Sequence, residues 1–224
     1  MDLAIAGLIL LLSAPLFLIV AVLIKLSSPG PVLFVQKRVG RNGRVFDFFK
    51  FRTMKHNSDD SVHREFAANF IRGNGKNQPR DDAEHATSPR GSSAGNGTCS
   101  EPLAQDQVYK LTWDPRITGI GRFLRRTSLD ELPQLINVLR GDMSIVGPRP
   151  PVVYELEHYQ DWHKRRLGAK PGITGLWQVS GRSSVPFDEM VQLDLYYIDH
   201  RSTSMDLRIM ARTLPVMIKG DGAY

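Results

Sequence analysis

The chain opens on an unbroken apolar run. Across residues 3–24, LAIAGLILLLSAPLFLIVAVLI, not one of 22 residues carries a charge. At about 1.5 Å per residue a helix of that length crosses the hydrocarbon core of a bilayer. A cleaved secretory signal fits poorly, because no Lys or Arg precedes the run and it leads straight into the basic stretch 25–52. Ser13-Ala14-Pro15 stands in its middle, where proline removes a backbone donor and clashes with the preceding turn. Membrane helices tolerate proline, so a spanning and a re-entrant helix both stay open on these residues. Pro29-Gly30-Pro31 then ends the element. Residues 32–35 (VLFV) predict a short strand, Gly40-Arg41-Asn42-Gly43 a hairpin turn, and 45–51 (VFDFFKF) the returning strand.

Residues 56–107 break the pattern. They include GNGKNQPRDDAEHATSPRGSSAGNG, polar and rich in Gly, Ser and Pro, and predict a mobile insertion with a short helix at 62–71. Cys99 lies inside it as an incidental thiol. Order returns at Val108-Tyr109-Lys110-Leu111. Leu129, Leu132, Leu135, Ile136 and Leu139 recur at helical spacing. Ser128 followed by Glu131 has the form of a capping box, but Pro133 prefers a first helical position, which would leave Asp130 and Glu131 in the entry turn. Residues 151–162, 185–200 and 205–219 predict further helices, and 171–175 a turn-rich loop. No internal repeat appears. The expected class is α+β: an N-terminal membrane helix (1–26) followed by one domain (27–224) built from a β-hairpin and several amphipathic helices.

Composition narrows the picture. The chain has 224 residues, 42% hydrophobic and 23% charged, which excludes a disordered or low-complexity protein and gives enough length for a core. One cysteine excludes a disulfide framework. The net charge of +6 fits anionic partners. Lys25, Lys37, Arg38, Arg41, Arg44, Lys50 and Arg52 follow the apolar run while only Asp2 precedes it, so the C-terminal side is expected to be cytoplasmic. No second run of membrane length appears in the remaining sequence, which places the rest of the chain on that side.

The densest chemistry is Arg125-Arg126-Thr127-Ser128-Leu129-Asp130-Glu131. Two adjacent carboxylates follow two arginines at a helix start, where dipole and guanidinium should keep them ionised. An ionised carboxylate can attack phosphorus or hold Mg²⁺ through oxygen. Taken alone, such residues more often form a helix cap with surface ion pairs than a reactive site. Gly147-Pro148-Arg149-Pro150-Pro151 holds an arginine on a stiff extended backbone, a form that suits phosphate. Lys50 and Arg52 project to one side of a strand end, towards lipid phosphate, substrate phosphate or water. No zinc spacing and no phosphate-binding P-loop occurs.

VLFVQKRVGRNGRVFDFFKFRTM, RRTSLDELPQLINVLRGDMSIVGPRP and KPGITGLWQVSGR, followed by LDLYYI, together resemble the bacterial sugar transferase family, the monotopic polyprenyl-phosphate phosphoglycosyl transferases. The resemblance spans nearly the whole chain outside 56–107. It implies transfer of a sugar-1-phosphate from a UDP-sugar to undecaprenyl phosphate, with release of UMP, at the start of exopolysaccharide, capsule, O-antigen or glycan assembly. It implies Asp130 as the nucleophile that forms an aspartyl phosphosugar, Glu131 as the Mg²⁺ ligand, and Arg125 as the family arginine before the nucleophile. Lys50, Arg52, Pro148, Arg149, Pro150 and Asp194 are expected to contact substrate. The membrane element becomes a re-entrant helix broken at Pro15, in the bacterial inner membrane with the catalytic domain on the cytoplasmic face.

Lys37, Arg38, Arg41 and Arg44 are expected to face membrane phospholipids as a basic belt. No nucleic acid is expected, since aromatic residues do not interleave with the cations; a homodimer stays open. The start at Met1-Asp2 lacks the basic residues usual before this element in the family, so whether the chain is a fragment of a longer protein stays open. Two other readings stay on the table: a non-catalytic basic membrane-surface binding protein, and a transferase that moves the sugar alone and releases UDP.

Overall fold

A computed structural model describes residues 1–55, 61–72, 116–180 and 185–219. Apart from a helix discussed below, the 56–107 insertion lies outside the described residues, as do Cys99 and the 108–111 segment. Helix α1 (Asp2–Ser27) takes up the whole apolar run and continues through Pro15 without ending, so the break expected at Pro15 does not occur; its 26 residues span about 39 Å. It is long and apolar enough to cross a membrane, with a mean hydropathy of 2.9. One side is buried at Ala6, Val20 and Ile24, while Leu3, Leu8, Leu11, Leu12, Leu18, Ile19, Val22 and Leu26 stand exposed. A face of large aliphatic side chains left bare on that scale is foreign to a water-facing helix.

Both ends of α1 are tied to the same globular body. At the start, Ser144 donates its hydroxyl to Asp2 at 2.7 Å. At the end, Arg52 donates to the carbonyls of Ser28 (2.7 Å) and Pro29 (2.9 Å) and to the Ser28 hydroxyl (3.0 Å). A helix leaves its last carbonyls without intrahelical partners, and a cation there also meets the negative end of the dipole. Arg52 is buried by this arrangement. It therefore caps α1, where the sequence placed it at the substrate.

Strands β1 (Leu33–Val39) and β2 (Val45–Phe51) pair antiparallel, with Phe34 opposite Lys50 and Gln36 opposite Phe48. The turn between them places Asn42 at φ 57 and Gly43 at φ 79, the left-handed pair that an Asn-Gly hairpin adopts. β1 runs four residues beyond the predicted strand because its polar residues find partners there: Lys37 pairs with Asp47 across the ladder at 2.7 Å. Helix α2 (Ser61–Ile71) corresponds to the short helix expected at 62–71. It buries Ala67, Phe70 and Ile71, and Phe70 meets the Phe187 ring edge-on at 6.0 Å.

Helices α3 (Gly119–Arg126) and α4 (Gln134–Leu139) flank a 3-10 turn, Leu129–Glu131. Strand β3 (Ser144–Val146) follows, then a second 3-10 turn Val153–His158 and helix α5 (Asp161–Lys164). The single helix expected over 151–162 is thus split. Tyr159 leaves the helical region, at φ −77 and ψ 129, and packs its ring beside Phe187 and His163. The loop expected at 171–175 contains strand β4 (Gly172–Thr174), parallel to β3. Glycine permits that pairing, since a Cβ on Gly172 would lie 2.1 Å from the Gly147 nitrogen. Helices α6 (Leu176–Ser180), α7 (Phe187–His200) and α8 (Thr203–Lys219) complete the described chain.

The largest core cluster joins Ala6 of α1, Phe46 and Phe48 of β2, Leu135 and Val138 of α4, Ile145 and Val146 of β3, Tyr197 of α7 and Ile209 of α8. The apolar helix, hairpin and helical layer therefore share one interior. That interior fixes the back of the site.

Candidate active site

The two acidic residues reach their position through a strained turn. α3 is capped by Thr118, whose hydroxyl accepts from the Gly121 amide at 3.0 Å, and it lies directly on the chain after β2. A Cβ on Gly121 would come 2.0 Å from the Thr53 carbonyl oxygen. This contact lets Arg125 donate through Nε to the Thr53 hydroxyl at 2.9 Å. The chain then reverses at Ser128, a non-glycine residue at φ 55, a conformation tolerated only when surrounding structure imposes it.

With Ser128 in that conformation its side chain makes no capping bond, so the capping box is absent. Pro133 precedes α4 as its cap residue, leaving Asp130 and Glu131 in the entry 3-10 turn. The left-handed Ser128 thus decides between the two arrangements that Pro133 left open in the sequence.

Lys50 meets both carboxylates from β2. Its ammonium lies 2.7 Å from Glu131 and 3.5 Å from Asp130. Asn137, fully buried, sets the strand's height by accepting from the Phe49 amide (3.2 Å) and donating to the Asp47 carbonyl (2.6 Å). Asp130 is buried, and burial raises its pKa above the ordinary value; Lys50 and Arg125 pull it down and Glu131 pushes it up. To the expectation that dipole and arginines keep this carboxyl ionised, the structure adds an opposing effect, burial. Desolvation is the larger effect, and the cations oppose it.

The donor set suits magnesium. Two adjacent carboxylates offer hard oxygen ligands, and Lys50 already supplies positive charge where a dication would. Mg²⁺ typically takes one or two protein carboxylates and completes its shell with water and phosphate. Glu131, with 32% of its side chain exposed against 9% for Asp130, is the better placed ligand.

The Pro148-Arg149-Pro150 segment forms a second group. The three prolines of 148–151 are buried and Arg149 is half-buried. Beside it lies a depression lined by Phe70, Ile71, Tyr159, Phe187 and Met190. Phe48 connects the two groups: Arg38 sits over its ring at 5.1 Å and Lys50 at 5.8 Å, and Arg38 donates to the Pro150 carbonyl at 2.8 Å. Arg38 is buried, which removes it from the expected lipid-facing belt. Lys37 has its partner in Asp47, and Arg41 and Arg44 remain exposed at the hairpin tip.

Asp194 is fully buried and hydrogen-bonds the equally buried Arg166. It lies behind the proline loop, not at a substrate-facing surface. Burial lifts its carboxyl to about 6 against the pull of Arg166. Burial also disfavours the Arg166 charge, but Asp194, Tyr159 and Glu155 more than offset that and hold it protonated. Arg166, Thr53 and Asn137 escaped the sequence reading, and Arg38 and Ser128 were read there in other roles, as a lipid-facing cation and a capping residue. Arg38 and Arg166 look like any surface cation until burial is known.

The sequence profile of the bacterial sugar transferase family matches residues 1–220. Among curated relatives, the galactosyl transferase CpsE of Streptococcus agalactiae is 44% identical over 87% of this chain and 36% of its own length. The undecaprenyl-phosphate galactose phosphotransferase of Salmonella typhimurium is 40% identical over 100% of this chain and 40% of its own. The exopolysaccharide production protein ExoY of Sinorhizobium fredii is 39% identical over 100% and 86% respectively. The chain spans about two fifths of the length of the first two relatives.

Proposed function

From the premise that this chain belongs to the bacterial sugar transferase family, we propose that it transfers a sugar-1-phosphate from a UDP-sugar to undecaprenyl phosphate. The observation that carries this reading is the pair of adjacent carboxylates, one buried and one half-exposed, bridged by Lys50. Asp130 attacks the sugar-bearing phosphorus of the UDP-sugar. The new bond joins its carboxylate oxygen to phosphorus, the bond to the bridging oxygen breaks, and UMP leaves with that oxygen. A phosphate oxygen of undecaprenyl phosphate then attacks the same phosphorus and displaces Asp130, giving the diphosphate-linked lipid and the free carboxylate. A covalent step lets one site serve two anionic substrates in turn.

The chain's own cations make this possible. Lys50 and Arg125 favour the ionised form of Asp130 that attack requires, against its burial. Arg149 binds the nucleotide phosphates. A magnesium ion bound through Glu131 would neutralise diphosphate charge as the leaving group departs.

The acceptor is a lipid, which requires a site at headgroup level. The tethering of Asp2 to Ser144 and of Ser28 to Arg52 supports a re-entrant α1 with both ends on one face, its bare aliphatic side in the bilayer. The basic excess after α1 supports the cytoplasmic face of the bacterial inner membrane.

The test is product identity. The purified chain, given undecaprenyl phosphate, Mg²⁺ and UDP-galactose or UDP-glucose, should release UMP. Mass spectrometry should find a sugar phosphate on Asp130, and Asp130→Asn should abolish both. Release of UDP would instead show that the sugar moves alone; no release from any UDP-sugar would leave a binding protein.

A further inference from the structure

The loop that carries Arg149 is held in an unusual way. Proline has no amide hydrogen, so Pro148, Pro150 and Pro151 cannot donate backbone hydrogen bonds. The loop is gripped through its carbonyls instead, all four in succession. The Pro148 carbonyl accepts from the Gly172 amide at 2.9 Å and the Pro151 carbonyl from the Val39 amide at 2.9 Å. Between them, the Pro150 carbonyl accepts from Arg38 Nη1 at 2.8 Å and the Arg149 carbonyl from Arg166 Nη2 at 3.4 Å.

Two backbone donors and two guanidinium groups thus clamp the segment from three elements: β1 (Arg38 and Val39), the turn after α5 (Arg166) and β4 (Gly172). Both guanidiniums are themselves fixed. Arg38 bonds the Gln36 side chain at 2.9 Å and lies over Phe48; Arg166 bonds Asp194 and the Tyr159 hydroxyl. Arginine's rigid fork serves this purpose better than a flexible ammonium.

We propose that Arg38 and Arg166 are positioning residues that hold the 148–151 backbone through its carbonyls and thereby fix Arg149 for the nucleotide phosphates. This rests on the reading above that Arg149 binds the nucleotide. Neither guanidinium touches substrate. Asp194 belongs to the clamp, because it keeps Arg166 charged and aimed.

The test uses the full chain in detergent and UMP as probe, since UMP is common to all UDP-sugars. Arg149→Ala should weaken UMP binding at least tenfold, and Arg38→Gln should do the same in a protein whose circular-dichroism spectrum shows that it still folds. If Arg38 acts through Arg149, the double variant binds UMP no worse than Arg149→Ala alone. Arg38→Lys should recover only part of the affinity, since it keeps charge without the fork.

Replacing Arg166 by Met together with Asp194 by Leu avoids stranding a buried charge, and should weaken UMP binding likewise. Should that pair fail to fold, the Arg38 arm decides. Multiplying losses in the Arg38/Arg149 double variant, or an Arg38→Gln protein that binds UMP normally, overturns the clamp while the nucleotide reading survives. An Arg149→Ala protein with normal UMP affinity overturns the nucleotide reading, and the clamp with it.

Discussion

Replacing Lys50 by methionine would remove the ammonium that lies 2.7 Å from Glu131 and 3.5 Å from Asp130, while keeping the aliphatic stem. At an effective dielectric constant of about 20, the two contacts amount to about 6 and about 5 kcal/mol before desolvation is counted. Lys50 is 23% exposed and regains hydration when the chain unfolds. The net loss should therefore fall between a surface pair, about 0–1 kcal/mol, and a buried one, about 3–5 kcal/mol. About 2 kcal/mol is the expected value at pH 8.

The pH dependence gives the sharper check. Burial already raises the Asp130 pKa, so the folded protein holds this proton more tightly than the unfolded chain. Its contribution is fully present below the unfolded carboxylate value and is lost as pH rises through the folded one. Removing Lys50 pushes the folded value higher still. The stability loss measured by urea unfolding in detergent should thus be smaller at pH 5 than at pH 8, and the acid limb of kcat against pH should move upwards. Turnover at pH 7 should fall about a hundredfold. An equal loss at both pH values with an unmoved acid limb would refute this account of Asp130.

Arg52→Ala should lower stability by about 2–3 kcal/mol, because the terminal carbonyls of α1 lose charge-assisted bonds, while KM for the UDP-sugar stays within twofold; a large rise in KM would return Arg52 to the substrate site. Gly172→Ala should cost about 3 kcal/mol, read as a drop in melting temperature, since its Cβ would enter the Gly147 nitrogen at 2.1 Å. In a Cys99→Ser background, cysteines at positions 2 and 27 should both react with an impermeant reagent from the cytoplasmic side only; periplasmic labelling at position 2 would show that α1 spans.

The apolar run, the hairpin with its Asn-Gly turn, and helices α2, α7 and α8 were legible in the sequence, because each rests on local periodicity or turn chemistry. The family motifs were legible for the same reason: they are contiguous. Where Asp130 and Glu131 stand relative to α4 was only half legible, since Pro133 posed two outcomes and the left-handed Ser128 chose one. The β3–β4 pairing was not readable at all. Its strands are three residues each, too short for alternation to register, and what permits them is the meeting of Gly147 with Gly172 across the fold.

Charge was the least legible property. Arg38, Arg52 and Arg166 are cations like Arg41 or Arg44 in composition, yet three are buried against backbone carbonyls and two face solvent. Sequence determines that a guanidinium is present and always charged. Tertiary structure decides which carbonyls lack other donors. At the end of α1 they do, by helix geometry, and in the 148–151 loop the Arg149 and Pro150 carbonyls are met by guanidiniums while the Gly172 and Val39 amides serve the other two; the long-range packing of β1, β2 and the turn after α5 brings the arginines there.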